Sequence, residues 1–494
     1  MRAPSAVPAP AMLRRMRSRP DVLGLIVNPV AGVGGPAGLA GSDGADVQRL
    51  ARERGARSRA DERASAALAV VAASHPNARV LTVAGAMGEH AVRAAGLEPV
   101  VVAQSGEPTS AADTAAAARA LAAAGATLVL FAGGDGTARD VATGLALAGR
   151  AAPPEATRIE TPGDEVEGLD TLAGARYSTG EASVDRVARS AYRDLEGGGL
   201  DTLAGARYST GEASVDRVAR SVYRDLEGGG LDTLAGARCS TGEVAALGIP
   251  AGVKMYSPAF AVSPSAAGAL AAAWLTEGSL PTQLREVLDV DEAALRRARV
   301  EPRLYGMLRV PDRPGRTQAR KSATSAGEHA AVRAAAHGAA DRMERGIRYL
   351  LGPGGTMAEL ARELGVAKTP LGVDVVLDGE LVLAGASEQQ LLDEVRRGPA
   401  KAVVSIIGGQ GFLLGRGNQQ LSARVVGELG ADPLLVVAPE QKLIDLGGRP
   451  LLVDTGDRDV DAGLAGFIRV VTGPASTSLY PVHAPEHEGE GHAP

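Results

Sequence analysis

Short apolar runs alternate with longer stretches of helical spacing along the first third of the chain. Val22–Val27 is a continuous apolar run of strand length that ends in Asn28-Pro29, before the Gly-rich segment 31–44. Arg79–Thr82 and Pro99–Val102 read as short strands, and Gly88–Ala95 between them reads as a helix. Ser110–Ala124 is an Ala-rich helix, and Thr127–Ala132 a fully buried strand. Gly133-Gly134-Asp135-Gly136-Thr137 follows at once, and Ala138–Leu147 reads as a helix. The next strand is Val244–Ile249. Strands alternating with helices predict an α/β fold with an open, mostly parallel sheet.

The second half predicts a β-rich α/β domain. Val373–Leu377 and Glu380–Leu383 flank Asp378-Gly379, a dipeptide suited to a two-residue primed hairpin turn. Arg348–Leu351, Ala402–Ile407, Leu434–Val437 and Phe467–Val471 read as strands; Glu328–Arg345 and Ser422–Leu429 read as helices. A domain boundary falls near residue 300. The organisation expected is a disordered leader over 1–20, one domain built from 21–150 plus 243–300, an insert over 151–242, a second domain over 301–480 that completes a cleft, and a disordered tail over 481–494.

The insert is a tandem repeat. The segment Gly168–Glu181 recurs from Gly199 and, with Cys239 in place of Tyr177, again from Gly230, at a period of 31 residues. The first two copies differ only at Ala191 against Val222. Solenoid units diverge where each meets a different neighbour, so near-identity reads as a recent duplication. Two full copies are also too few for a stable solenoid. Each carries one helical pattern, from Ser178 to Leu195 in the first copy.

Composition narrows the function. Among 494 residues there is one cysteine, Cys239, so no intramolecular disulfide can form and a cytoplasmic setting is expected. The net charge of -6 and 3% aromatic content argue against nucleic-acid binding. No apolar run reaches the roughly 18–20 residues of a spanning helix, so no membrane partner is expected. A homo-oligomer is compatible with the composition. Lysines number only five, which makes Lys254, in the segment Gly248–Ser257, stand out as a specific anion contact rather than a solvated charge.

Gly133–Thr137 is the sharpest motif. Glycines let a backbone approach a polyphosphate, and amides at a helix N-terminus favour anionic oxygens. A carboxylate there repels phosphate unless it takes a proton from an attacking hydroxyl or holds a divalent metal, so Asp135 is the candidate base and the candidate Mg²⁺ ligand. Asn28, with Gly32, Gly34 and Gly35, would lie at the same carboxyl edge of the sheet. Gly354, Gly355 and Thr356 also follow a strand and open a helix. Gln410, and Asn418 with Gln419 and Gln420, offer amides for a base or ribose among several glycines. An ordinary Gly-rich turn is the alternative reading of each of these loops. The stretch Gly315–Ser322 misses a Walker A loop because Arg320 replaces its second glycine. No H-E-x-x-H, paired-Cys zinc pattern or G-x-S-x-G is present.

As a set, these motifs resemble the NAD kinase superfamily. GLIVNPVAGVGG, the GSDG of Gly41–Gly44, FAGGDGTARDV, LGIPAGVKMYS, LYGMLRVP, LLGPGGT, LGVDVVLDGELV and IIGGQGFLLGRGNQQ look like its ATP-NAD kinase-like branch, which includes the acetoin-catabolism X proteins. The resemblance covers about 21–150 and 243–480, in family order. It implies an α/β nucleotide-binding domain, a β-rich second domain, and phosphoryl transfer from ATP or polyphosphate to the 2′-hydroxyl of NAD, with Mg²⁺. By resemblance Asp135 is the base or metal-organising carboxylate, and Gly133, Gly134, Gly136 and Thr137 cradle phosphate. The branch often carries Lys where Ala40 stands, and its usual layout lacks the insert. A kinase for another small-molecule or lipid hydroxyl, or a non-catalytic nucleotide sensor on the same fold, are the alternatives.

Overall fold

The structure is a computed structural model and describes residues 22–39, 41–42, 44–148, 244–290, 302–313, 315–318 and 329–486. By its internal contacts the chain divides into one compact unit of Met1–Ala151 with Cys239–Pro494 and another of Ala152–Arg238. The second takes in the repeat up to Arg238. It lies outside the described residues, as do the leader, Ala40, most of the boundary region near 300 and 487–494 of the expected tail; 481–483, expected in that tail, instead end the strand Thr477–His483.

Five strands form the first sheet: β1 (Leu23–Val27), β2 (Arg79–Val83), β3 (Glu98–Ala103), β4 (Leu128–Gly133) and β5 (Ala245–Pro250). All are parallel, in the order β3-β2-β1-β4-β5. The chain first builds outward from β1 through β2 to β3. It then returns to the other side of β1 with β4. The loops after β1 and β4 therefore diverge at a topological switch point, the usual ligand crevice of an open parallel sheet. Every residue of β4 is buried, as its unbroken apolar run predicts. Phe131 meets Phe260 edge to face at 5.5 Å. Burying a ring of this size contributes about 2–3 kcal/mol.

Helices α1 (Ala45–Glu53), α2 (Ala60–Ser74), α3 (Glu89–Ala94), α4 (Ala111–Ala123), α5 (Asp135–Ala148) and α6 (Pro264–Glu277) accompany this sheet. Ser110 caps α4 with a capping box to Asp113. Helices α2 and α6 pack closely because both are Ala-rich: a Cβ on Gly268 would lie 2.8 Å from Val70 Cβ. β5 enters at the amino edge, with Ala245 opposite Leu128. A two-stranded antiparallel ribbon, β6 (Thr282–Val290) with β7 (Pro302–Pro311), follows α6.

The second sheet has nine strands. Its elements run α7 (His329–Ala340), β8 (Arg348–Leu351), α8 (Gly355–Glu363), β9 (Val373–Leu377), β10 (Glu380–Ala386), α9 (Glu388–Val395), β11 (Ala400–Val404), β12 (Phe412–Leu414), α10 (Ala423–Glu428), β13 (Leu434–Val437), α11 (Glu440–Ile444), β14 (Leu451–Val453), α12 (Arg458–Leu464), β15 (Gly466–Val471) and β16 (Thr477–His483). The strand order is β10-β9-β8-β11-β13-β15-β16-β14-β12. β8, β11, β13 and β15 are mutually parallel, so this sheet too has a carboxyl edge. The β9–β10 hairpin turns at Asp378 (φ 52°) and Gly379 (φ 82°), the left-handed pair that the Asp-Gly dipeptide predicts.

The architecture is the expected α/β class, a parallel sheet followed by a second, β-rich α/β part. Element ends moved in places. α5 starts at Asp135, three residues early, because Asp135 N–H is accepted by Lys254 C=O at 3.1 Å and the helix can begin directly behind the Gly133-Gly134 turn. α7 stops at Ala340 rather than Arg345, and β11 stops at Val404, before the Gly-rich turn. Among the described residues no helix is long and apolar enough to cross a membrane.

Candidate active site

The switch point is built by two loops that hold each other. Asn28 Nδ2 donates to Thr137 Oγ1 at 3.0 Å, and Asn28 Oδ1 accepts from Val30 N–H at 3.2 Å. Asn28 N–H also bonds Ala132 C=O at 3.0 Å. Asn28 thus fixes the end of β1 to the first turn of α5. Gly133 is glycine because a Cβ there would overlap the Thr137 side chain.

Asp135 sits in that first turn and is 1% exposed. Its Oδ2 accepts from Tyr256 N–H at 2.6 Å; its Oδ1 accepts from Ser257 N–H at 3.0 Å and from Ser257 Oγ at 2.6 Å. Burial pushes its pKa up to about 6, against the pull of these donors, and the charge of Asp289 adds to the rise. Asp289 is itself paired with Arg139 at 2.8 Å.

The segment after β5 lies directly over the motif. A Cβ on Gly134 would fall 2.8 Å from Lys254 C=O and 3.0 Å from Gly252 Cα. Gly133 and Gly134 therefore serve close backbone packing here, and the Asp135 amide already has a protein acceptor. Lys254 is half-buried on this covering segment. Gln410 holds the same segment from the second sheet, donating from Nε2 to Met255 C=O at 2.8 Å.

The other residues singled out in the sequence lie elsewhere. Both ends of the Asn418 amide are engaged in its own loop, with Gly415 N–H at 2.9 Å and Leu413 C=O at 2.7 Å. Its neighbour Gln419 reaches further: Nε2 donates to Gly252 C=O at 3.0 Å, while Oε1 is buried with no partner. Gly354, Gly355 and Thr356 lie at the carboxyl edge of the second sheet, where Lys442 Nζ bonds Thr356 Oγ1 at 3.3 Å and Ile406 C=O at 3.2 Å. Neither they nor Asn28, Gly133–Thr137, Lys254, Gln410 and Asn418 line the cavity beside the covering segment.

A cavity of about 600 Å³ opens beside the covering segment. Gly32 and Pro36 from the loop after β1, Pro250–Gly252 and Met255 form one side, and the loops 415–424 and 454–457 of the second sheet form the other. The volume is in the range of small-molecule sites. Its floor carries an array that the sequence reading passed over. Arg63 donates from Nη1 and Nη2 to the two oxygens of Asp454 at 3.0 and 2.6 Å, and from Nε to Pro250 C=O. Arg416 donates to Asp454 Oδ2 at 2.7 Å and to Val262 C=O at 2.9 Å, with its guanidinium 4.1 Å over the Phe412 ring. Burial alone would raise Asp454; Arg63, then Arg416, overcome it and hold the carboxyl at about 2. The available signal was faint: Arg59 and Arg63 lie four residues apart at the start of α2, and Arg416 stands inside a Gly-rich loop.

Mg²⁺ was expected at Asp135. Its oxygens point at Tyr256 and Ser257, and among the described residues no group of three or more His, Cys, Asp or Glu gathers to hold a metal ion. The side chains therefore do not fit a Mg²⁺ held by protein groups alone.

Comparison with protein families gives two matches in chain order. Residues 23–152 match the ATP-NAD kinase N-terminal domain, and residues 345–482 match the ATP-NAD kinase C-terminal domain. Neither the curated proteins nor the solved structures gave a match. The first match spans the switch point and Asp135, and the second spans Gln410, Arg416 and Asp454. Together they cover more than half of the chain and parts of both walls of the cavity. The chain belongs to the NAD kinase family.

Proposed function

We propose that the chain transfers the terminal phosphoryl group of ATP to the 2′-hydroxyl of NAD, giving NADP and ADP. The observation that carries this reading is Asp135, a buried carboxylate with a pKa near 6 at the switch point of a parallel sheet, covered by the segment whose Gly252 and Met255 line a cavity of about 600 Å³. A ribose hydroxyl is a weak nucleophile at neutral pH. Asp135 takes its proton as the hydroxyl oxygen attacks the terminal phosphorus and the bond to the ADP oxygen breaks. Carboxylate oxygens offer about four acceptor positions; protein donors take three, leaving one on Oδ2 for the acceptor hydroxyl. Because Asp135 is covered, the stretch Gly252–Lys254 shifts when substrate enters while Tyr256 and Ser257 keep their bonds to Asp135, and Lys254 then contacts phosphate. Gly136 and Thr137 belong to the same phosphate cradle, while Gly354–Thr356 offer a second helix start for a phosphate of the donor. A cytoplasmic location suits these substrates.

One observation favours a second reading, a nucleotide sensor without turnover: Asp135 is latched by three donors and 1% exposed. Purified protein incubated with NAD, ATP and Mg²⁺ separates the two. The kinase reading expects NADP to accumulate; binding of NAD with no NADP formed would leave the sensor.

A further inference from the structure

The cavity beside the switch point is lined by five arginines and four carboxylates, and these charges are unevenly matched. Glu62 is taken by Arg59 at 3.1 Å, and Glu388 faces Arg424 at 3.6 Å. Asp457 caps α12 through the amides of Asp459 and Val460. That leaves Asp454 as the one carboxylate for both Arg63 and Arg416, and Arg57 with no ion pair among the described residues.

The donors are also unevenly used. Two guanidiniums carry ten N–H groups. Protein acceptors take six of those on Arg63 and Arg416. Arg416 is 4% exposed, yet its Nε is buried with no partner, and so is Oε1 of Gln419 at the same wall. Glu486 adds negative charge from further off, but its carboxylate is engaged by the N–H and O–H of Ser265. An unmatched donor on a buried cation costs free energy unless a ligand meets it.

From this array we infer that the cavity holds an anion-recognition subsite for a pyrophosphate group, formed by Arg57 and Arg416, with Arg63 and Asp454 as positioning residues. Asp454 fixes the two guanidiniums from opposite walls, so their planes are set before a ligand arrives. Arg416 is further held flat by Phe412. Arginine suits this task because its rigid fork matches phosphate oxygens two at a time and it is weakly hydrated. Arg57, on the exposed rim, adds charge that steers the anion inward. The ligand class rests on the proposed function, since NAD and ATP both carry pyrophosphate linkages; the subsite itself does not require turnover.

The test is calorimetric titration of the full chain with inorganic pyrophosphate, then with NAD and with ADP. Wild type is expected to bind pyrophosphate, and Arg57→Ala, whose side chain holds no other group, to weaken it about tenfold or more. Arg416→Lys keeps the charge and loses the fork, and a similar loss is expected, with thermal unfolding confirming the fold. Competition then assigns the source: displacement by NAD marks the acceptor side, displacement by ADP the donor side. No pyrophosphate binding by wild type, or equal affinity in wild type and both variants, overturns the subsite. Failure of NADP formation with pyrophosphate binding intact would count against the kinase reading and leave the subsite standing.

Discussion

Ser257 donates to Oδ1 of Asp135 twice, from its backbone N–H at 3.0 Å and from its hydroxyl at 2.6 Å. The same hydroxyl lies 2.9 Å from Leu288 C=O and accepts from Leu288 N–H at 2.9 Å. A hydroxyl has one proton, so it serves Asp135 or Leu288 but not both. Protonation of Asp135 resolves the competition, because the acid can then donate to Ser257 Oγ and the hydroxyl proton is released to Leu288. The arrangement makes Asp135 a group whose protonation is shared with its covering segment.

Ser257→Ala removes the hydroxyl and leaves the buried carboxylate with two donors. The expected loss is about 1–3 kcal/mol of stability at pH 7, measured by chemical denaturation. The acid limb of activity should also move to higher pH, since the ionised form has lost a donor. An unchanged limb and unchanged stability would remove Ser257 from the account.

The pH dependence of stability has a definite sign. Asp135 is raised from 3.8 to about 6 in the folded chain. Its stabilising contribution is therefore complete below about pH 4 and is lost as pH rises through 6, on the order of 3 kcal/mol at 1.36 kcal/mol per unit. Asp454 runs the other way. Held at about 2, it contributes above pH 4 and loses that as pH falls toward 2. Unfolding free energies of wild type and Asp135→Asn across pH 4–8 should diverge in favour of wild type toward pH 4. Parallel curves would contradict the raised pKa.

Asp454→Asn leaves Arg63 and Arg416 facing each other without a counter-charge. Removing one partner of a buried ion pair typically costs about 3–5 kcal/mol. A fall of that size in unfolding free energy is expected. A variant as stable as wild type would mean that the two arginines do not depend on Asp454.

The tandem repeat should be dispensable for chemistry. The chain re-enters the first sheet at Ala245, opposite Leu128 at the amino edge, whereas the switch point lies at the carboxyl edge. Closing a longer loop costs only about 0.6 kcal/mol per doubling of its length. Deleting Gly168–Gly198 is expected to leave NADP formation and the thermal midpoint nearly unchanged; a folded deletion variant without activity would show that the repeat acts on the site.

Legibility in the sequence followed the strength of the local pattern. β4 and the β9–β10 hairpin were readable because an apolar run and an Asp-Gly pair each leave the backbone one good option. α2 was not, because ADERASAALAVVAAS buries alanines against α6 by close approach rather than through a stripe of large apolar residues. The Asp135 loop was found from its glycines, yet their role differed: Gly134 makes room for Gly252, and only the fold brings residues 134 and 252 together. Arg63 and Asp454 are 391 positions apart, so their pairing could not be read from spacing.

NADP formation by wild type and Asp135→Asn, with NAD binding measured on the same samples, decides whether Asp135 is the base of a kinase. A placed general base contributes about 10²–10⁴-fold. NADP is expected from NAD and ATP with wild type, and turnover lower by that range in a folded Asn variant that still binds NAD. An Asn variant with wild-type turnover, or a wild type that binds NAD and makes no NADP, would contradict that role.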